Sequence, residues 1–90
     1  MDSTNGRAKP GEFLPGIIMP SEIHGLLRKR VADIEVSDTA VNCLIAQARA
    51  DSLVEALEVL KAIPAAAIER LYIMIASSAE ARLAELGAQP

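Results

Sequence analysis

The chain offers few side chains that could act as nucleophiles or metal ligands. It contains one histidine, His24, and one cysteine, Cys43, so a single thiol–imidazole dyad is conceivable. Cys43 stands beside Leu44 and Ile45 in an apolar stretch, where a thiol usually behaves as a small packed hydrophobe. His24 lies near the start of a predicted helix, and there is no second histidine to share a metal ion. We therefore expect structural roles for both residues, with no cofactor and no metal.

Two acidic residues have the spacing of paired catalytic carboxylates. Glu55 and Glu58 are three residues apart, which places them on one face of a predicted helix. A di-iron centre would also require Glu-x-x-His pairs, which the sequence lacks. With Lys61 three residues further on, the pattern favours a solvated, salt-bridged face. Because glycine-rich phosphate loops are missing too, we expect a protein that is not an enzyme.

Composition limits the remaining classes of function. Ninety residues with 51% apolar content are enough for one small domain with a core. Twelve acidic and nine basic residues give a formal charge of −3, which does not favour nucleic acid as a partner. The longest uncharged run, Thr39 to Ala48, has ten residues and is too short to cross a bilayer. Since no secretory signal pattern is present and the single cysteine suits a reducing compartment, we expect a cytoplasmic protein without a membrane partner.

Glycine and proline separate the chain into two parts. Residues 1–16 hold three of the five glycines and two of the five prolines, which predicts a flexible amino-terminal arm. Residues 17–90 carry the helical periodicity and form the single helical domain. The fold class is therefore expected to be all-α, a small bundle of three to four helices. The segment FLPGIIM is compatible with a short edge ribbon, although Pro15 and Gly16 argue against a central strand.

Three stretches have helical spacing. The first begins after an expected N-cap at Ser21, and the second after an expected N-cap at Ser37. The second is either one helix over 38–63 or two helices that meet near Asp51; a single helix is favoured because Pro64 is its only firm stop. Its apolar stripe comprises Val41, Leu44, Ile45 and Ala48, and its apolar surface is wide enough to need covering on two sides. The third helix runs from Pro64 to about Gly87.

A tripeptide in the second helical stretch has a known counterpart. Asp51-Ser52-Leu53 resembles the attachment motif of acyl carrier proteins, which are also small, acidic and helical. The resemblance implies a phosphopantetheine arm on Ser52. It covers about ten residues, and the glycine-containing loop that precedes the motif in that family is replaced here by AQARA.

The segment from Gly16 to Ile45 resembles the ribbon-helix-helix DNA-binding proteins in the order of a short strand, a proline, a helix and a serine before the next helix. It also resembles the helix-strand-helix layout of histone-like proteins. Both resemblances imply DNA binding, for which the one basic cluster is Arg28, Lys29 and Arg30. The candidate strand, Ile17 to Met19, lacks the polar side chains that read bases, and Glu35 stands where the ribbon family has glycine.

The last helix carries more apolar residues than one face requires. Apolar side chains occupy both sides of its first half, where Glu69 and Arg70 are nearly the only polar residues. Either this surplus packs in the core of the monomer, or it forms an interface. The second interpretation predicts a non-catalytic protein–protein interaction module, a small adaptor, docking element or inhibitor that binds itself as a homodimer, a larger protein target, or both. The expected interface residues are Ile68, Leu71, Tyr72, Ile73, Met74 and Ile75.

Overall fold

The computed structural model describes residues 7–88, which form a small hairpin followed by three helices. The prediction of an all-α protein is confirmed in broad terms, with a two-stranded sheet added. The molecule is flat, with extents of 43 × 37 × 21 Å, so its shortest dimension is about two helix diameters. The strands are β1 (Glu12–Leu14) and β2 (Ile17–Ile18), and the helices are α1 (Ser21–Glu35), α2 (Ala40–Val59) and α3 (Ala65–Gly87).

The hairpin occupies the end of the segment in which a flexible arm was expected. Residues 1–6 of that expected arm lie outside the described part of the chain. Pro15 and Gly16 connect the two antiparallel strands, and a φ of 83° at Gly16 suits the third position of a type II turn. Phe13, Ile17 and Met19 bury their side chains in the core, so the folded unit begins before the expected boundary at residue 17. The short ribbon considered for FLPGIIM is therefore present.

The loop between α1 and α2 divides two capping roles between two hydroxyl groups. Thr39 is the N-cap of α2, and its Oγ1 accepts a hydrogen bond of 3.0 Å from the backbone N–H of Asn42. Ser37 was expected in this role, but its hydroxyl donates over 2.8 Å to the carbonyl oxygen of Ile34 at the end of α1. Ser21 was expected to cap α1, yet it is the first helical residue, and Pro20 precedes it at the N-cap.

The second helix is continuous through Asp51, which confirms the prediction of one helix rather than two. It ends at Val59, earlier than expected, because Lys61 adopts a left-handed conformation with φ 53°. The backbone N–H of Ala62 donates to the carbonyl of Leu57, and that of Lys61 donates to the carbonyl of Glu58, both over 3.0 Å. These two bonds form a Schellman motif, which ends the helix without glycine.

The core lies between α2 and the other two helices. α2 packs against α1 and against α3 more extensively than those two pack against each other, and the hairpin contacts both α1 and α3. The side of α2 that faces inward is built largely from small residues, which let the neighbouring helices approach closely. The buried residues of α2 are Cys43, Ala46, Ala50, Val54 and Leu57.

Candidate interaction surface

The two residues that the sequence offers for catalysis make separate contacts. His24 packs edge-on against Phe13, with ring centroids 5.1 Å apart. Cys43 is fully buried, and its Sγ lies 3.7 Å from the carbonyl oxygen of Ala79. No hydrogen bond joins His24 to Cys43 in the described residues, and within residues 7–88 no three His, Cys, Asp or Glu side chains are grouped as a metal site requires.

The acidic pair on α2 is solvated, as its spacing indicated. Glu55 and Glu58 are both exposed. The expected bridge to Lys61 is not among the ion pairs of residues 7–88, because Lys61 lies beyond the end of the helix. Glu58 instead accepts a hydrogen bond of 3.4 Å from the hydroxyl of Tyr72, and desolvation followed by the charge of Glu58 raises the pKa of that phenol.

The basic cluster on α1 is largely occupied by contacts within the chain. Lys29 and Arg30 approach the same carboxylate of Asp33 at 3.4 and 3.9 Å. The guanidinium of Arg28 lies 5.2 Å from the centroid of the Phe13 ring, in a cation–π arrangement. Two of the three side chains therefore share the Asp33 carboxylate, and the third lies against Phe13.

Ser52 lies in the second half of α2, in the middle of a continuous helix. Asp51 beside it is partly buried, and desolvation raises the pKa of its carboxyl group. The loop that the resemblance to acyl carriers would require before Ser52 is replaced by helix, so the structure does not extend that resemblance.

The interface expected on α3 is divided between the core and the surface. Ile68, Leu71 and Ile75 are buried against the rest of the same chain, with Leu71 and Ile75 fully inaccessible. Tyr72 and Met74 are half-buried at the edge of that core. The surplus is smaller than expected because α1 and α2 of the same chain pack against α3. Of the six residues expected at the interface, only Ile73 is a largely exposed hydrophobe, at 59%.

An apolar face that no other element of residues 7–88 covers lies instead on α2. Val41, Leu44 and Ile45 are exposed to 65%, 53% and 49%, and Ala48 one turn later is exposed as well. These four residues, here called the α2 outer face, are the apolar stripe predicted from the sequence; the structure places them on the side of α2 opposite the core. The reason is size: small residues face inward and permit close helix packing, which leaves the larger aliphatic side chains in water. An exposed group of this kind is typical of an interaction surface.

The α2 outer face is bounded by charges of opposite sign. Asp38 precedes it and Arg49 follows it, with no charged residue between them. A shallow depression on the α1 side of the face brings Ile45 together with Val36, which is also largely exposed, and is lined by Asp38 and Arg49 too. Within residues 7–88, Arg49 takes part in no ion pair.

Other exposed hydrophobic residues are scattered in smaller groups. Val59 and Leu60 lie at the carboxyl end of α2, next to a depression lined by Ile63, Pro64 and Ile68. Further apolar exposure occurs singly, as is ordinary for protein surfaces. The α2 outer face is the set in which several aliphatic side chains share one face of a regular helix.

One sequence signal pointed to this face before the fold was known. α2 carries apolar residues on two opposite sides, and the ten-residue uncharged run from Thr39 to Ala48 lies at its amino end. A helix of that kind needs covering on two sides, whereas the fold covers one. What the sequence could not decide is which of the two sides remains open.

Within the described residues, no helix combines the length and the apolarity that a membrane crossing requires.

Comparison with known proteins gives no relative for the chain: no family model, no curated protein and no solved structure matches it.

Proposed function

We propose that this protein is a non-catalytic interaction module that binds a second polypeptide through the α2 outer face and forms a homodimer by that contact. In this role it is a small adaptor, docking element or inhibitor of the cytoplasm, where its single thiol stays reduced. The observation that supports the proposal is the exposure to water of the larger aliphatic residues on α2, which are Val41, Leu44 and Ile45.

The energetic argument concerns the removal of these side chains from water. Fully burying one Val, Leu or Ile is worth about 1.5–3 kcal/mol, so each half-exposed residue contributes roughly 1 kcal/mol on contact. A small domain gains from covering such a face because its own core is limited. A helix-to-helix contact of this size falls in the small class of interfaces, which form weak and reversible complexes.

The test compares two exposed isoleucines in the full chain. Ile45 on α2 and Ile73 on α3 are similarly exposed, at 49% and 59%, so aspartate at either position disturbs the core little. Sedimentation velocity over a range of protein concentrations should show a monomer–dimer equilibrium for the unchanged chain. Ile45→Asp should abolish the dimer, because the contact would bury an unpaired carboxylate, whereas Ile73→Asp should leave it intact.

Two outcomes of the sedimentation experiment would contradict the proposal. A chain that stays monomeric at millimolar concentration overturns the homodimer. A dimer that survives Ile45→Asp and is lost in Ile73→Asp assigns the contact to α3 instead. Circular dichroism of both variants shows that any loss of association occurs in folded protein.

A further inference from the structure

We propose that the two copies of α2 pair antiparallel, with Arg49 of each copy against Asp38 of the partner subunit. This inference rests on the proposed function and specifies the geometry of the same surface. It starts from the order of charges: an acidic residue, an uncharged helical stretch, then a basic residue. Such a stretch is complementary to itself when a second copy runs in the opposite direction. A parallel copy would instead place Asp38 beside Asp38 and Arg49 beside Arg49.

The two charges lie on the same side of the apolar face. Asp38, Arg49 and Ile45 all line the depression next to the α1–α2 loop. When a two-fold axis relates two antiparallel helices, each flank of one helix lies next to the equivalent flank of the other helix. A residue on the α1 side of one copy therefore meets the α1 side of the other, which is what a contact between Arg49 and Asp38 requires.

The register follows from the apolar residues. If the axis passes between Leu44 and Ile45, Leu44 lies opposite Ile45 of the partner subunit and Val41 lies opposite Ala48 of the partner subunit. Arg49 is then about 7 Å along the helix from the axis, and Ala40, the first residue of α2, is about 7 Å from it in the other direction. After the two-fold operation Arg49 lies level with Ala40 of the partner subunit, two residues from Asp38 of the partner subunit, a separation that the long arginine side chain spans. The small side chain of Ala48 allows the two helices to approach closely.

Both charged groups are available for this contact. Arg49 is exposed and has no ion pair within residues 7–88. Asp38 is exposed, and one of its carboxylate oxygens accepts a hydrogen bond of 2.9 Å from the side chain of Asn42. That bond holds the carboxylate at the amino end of α2. The pair lies at the rim of the apolar contact, where charge complementarity sets orientation more than affinity.

The first experiment reads the direction of the helices by disulfide formation. Val41→Cys and Ala48→Cys are made in separate full-length chains of different mass, mixed, and equilibrated in a glutathione buffer. Native Cys43 is fully buried and remains in both chains. The antiparallel pair predicts a mixed disulfide between the two variants, with little of either variant linked to itself. A Val41→Cys chain that links mainly to another Val41→Cys chain indicates parallel helices and overturns the inference.

The second experiment reverses the charges. Arg49→Glu alone and Asp38→Arg alone should each weaken the dimer about fivefold in dissociation constant, and the double variant should recover the affinity of the unchanged chain. Glu69→Arg, an exposed change on α3, is the matched control and should have no effect. Additive losses in the double variant overturn the cross-subunit pair. A dimer that is lost in Ile45→Asp but fails these two tests leaves the proposed function standing, whereas a chain that never associates overturns both.

Discussion

Arg70 on α3 donates a hydrogen bond from Nη1 to the carbonyl oxygen of Pro15 over 2.6 Å, which fixes the hairpin turn to a helix 55 residues further along the chain. The bond gives a partner to a carbonyl in a turn whose own strands are only three and two residues long. Hairpins this short are not stable by themselves in water. The hairpin therefore holds its place through its contacts with α1 and α3.

Arg70→Met should loosen the hairpin, because it keeps the apolar stem of the side chain and removes the donor. The expected loss is about 1 kcal/mol of unfolding free energy, with faster amide hydrogen exchange over residues 12–18. Glu69→Gln on the neighbouring position is the control and should leave exchange in the hairpin unchanged. Equal exchange in Arg70→Met and the unchanged chain would show that the turn does not depend on this bond.

Phe13→Ala should destabilise the whole domain. Phe13 is buried in the core and contacts His24 and Arg28 of α1. Removing a buried phenylalanine typically costs about 3 kcal/mol of unfolding free energy. Urea denaturation should measure this loss. Ile18 on the same hairpin is 71% exposed, and Ile18→Ala should change stability by less than about 0.5 kcal/mol. Similar effects of both substitutions would refute the docked position of the hairpin.

Lys61→Gly should stabilise the protein by about 1 kcal/mol. Lys61 has a φ of 53°, a conformation that disfavours every residue with a Cβ and that glycine adopts freely. Lys61→Ala is the control, since alanine keeps the Cβ and should give no gain. Thermal unfolding followed by circular dichroism separates the two; a gain in both variants would point to the lysine charge instead.

Gly25→Ala and Gly16→Ala should have opposite signs. Gly25 lies inside α1, and a Cβ built there meets no other atom within 4 Å, so alanine gains about 0.5–1 kcal/mol of helix propensity. Gly16 has a φ of 83°, which strains any other residue, so alanine there should lose about 1 kcal/mol. Chemical denaturation of both variants gives the comparison, and a destabilised Gly25→Ala would reveal a neighbour at α1 that the fold does not show.

Alkaline pH should weaken the fold through Tyr72. Desolvation and then Glu58 raise the pKa of this phenol above its ordinary value of 10.0, so the folded state favours the neutral hydroxyl. The stabilisation is fully present below the pKa of the unfolded chain and is lost as pH rises through that of the folded one. Tyr72 is the only tyrosine, and there is no tryptophan, so ultraviolet titration reads it directly.

Two variants test the cause of this shift. Glu58→Gln should lower the midpoint of the titration towards its ordinary value, because it removes the nearest negative charge. Tyr72→Phe should remove this contribution to the loss of stability above pH 10. An unchanged midpoint in Glu58→Gln would show that Glu58 does not contribute to the raised pKa.

The helices could be predicted from the sequence because their signals are local. The periodic apolar residues and the absence of glycine and proline before Pro64 were sufficient to predict one continuous α2, although not its end at Val59. The hairpin was less accessible, since glycine and proline in residues 1–16 are equally typical of a flexible arm and of a tight turn. Its position depends on Arg70, Phe13 and other contacts between distant parts of the chain.

The open face of α2 could not be predicted for a different reason. Hydrophobic periodicity ranks residues by apolarity, and on that scale Val41 and Ile45 belong inside more than Ala46 and Ala50 do. Close packing of helices depends on side-chain volume, and in this fold the side of α2 with the small residues Ala46 and Ala50 faces the interior. The surplus on α3 was overestimated as well. Which elements cover Leu71 and Ile75 depends on the tertiary fold, and the sequence pattern of α3 does not contain that information.

The bond between Arg70 and Pro15 also has a consequence for synthesis on the ribosome. The hairpin is translated before α3, so Pro15 leaves the ribosome well before Arg70, the donor of this hydrogen bond, has been synthesised. Until then the two short strands lack one of the contacts that hold them in place, and they are not stable by themselves. The hairpin turn therefore reaches its final set of hydrogen bonds only after α3 has been translated.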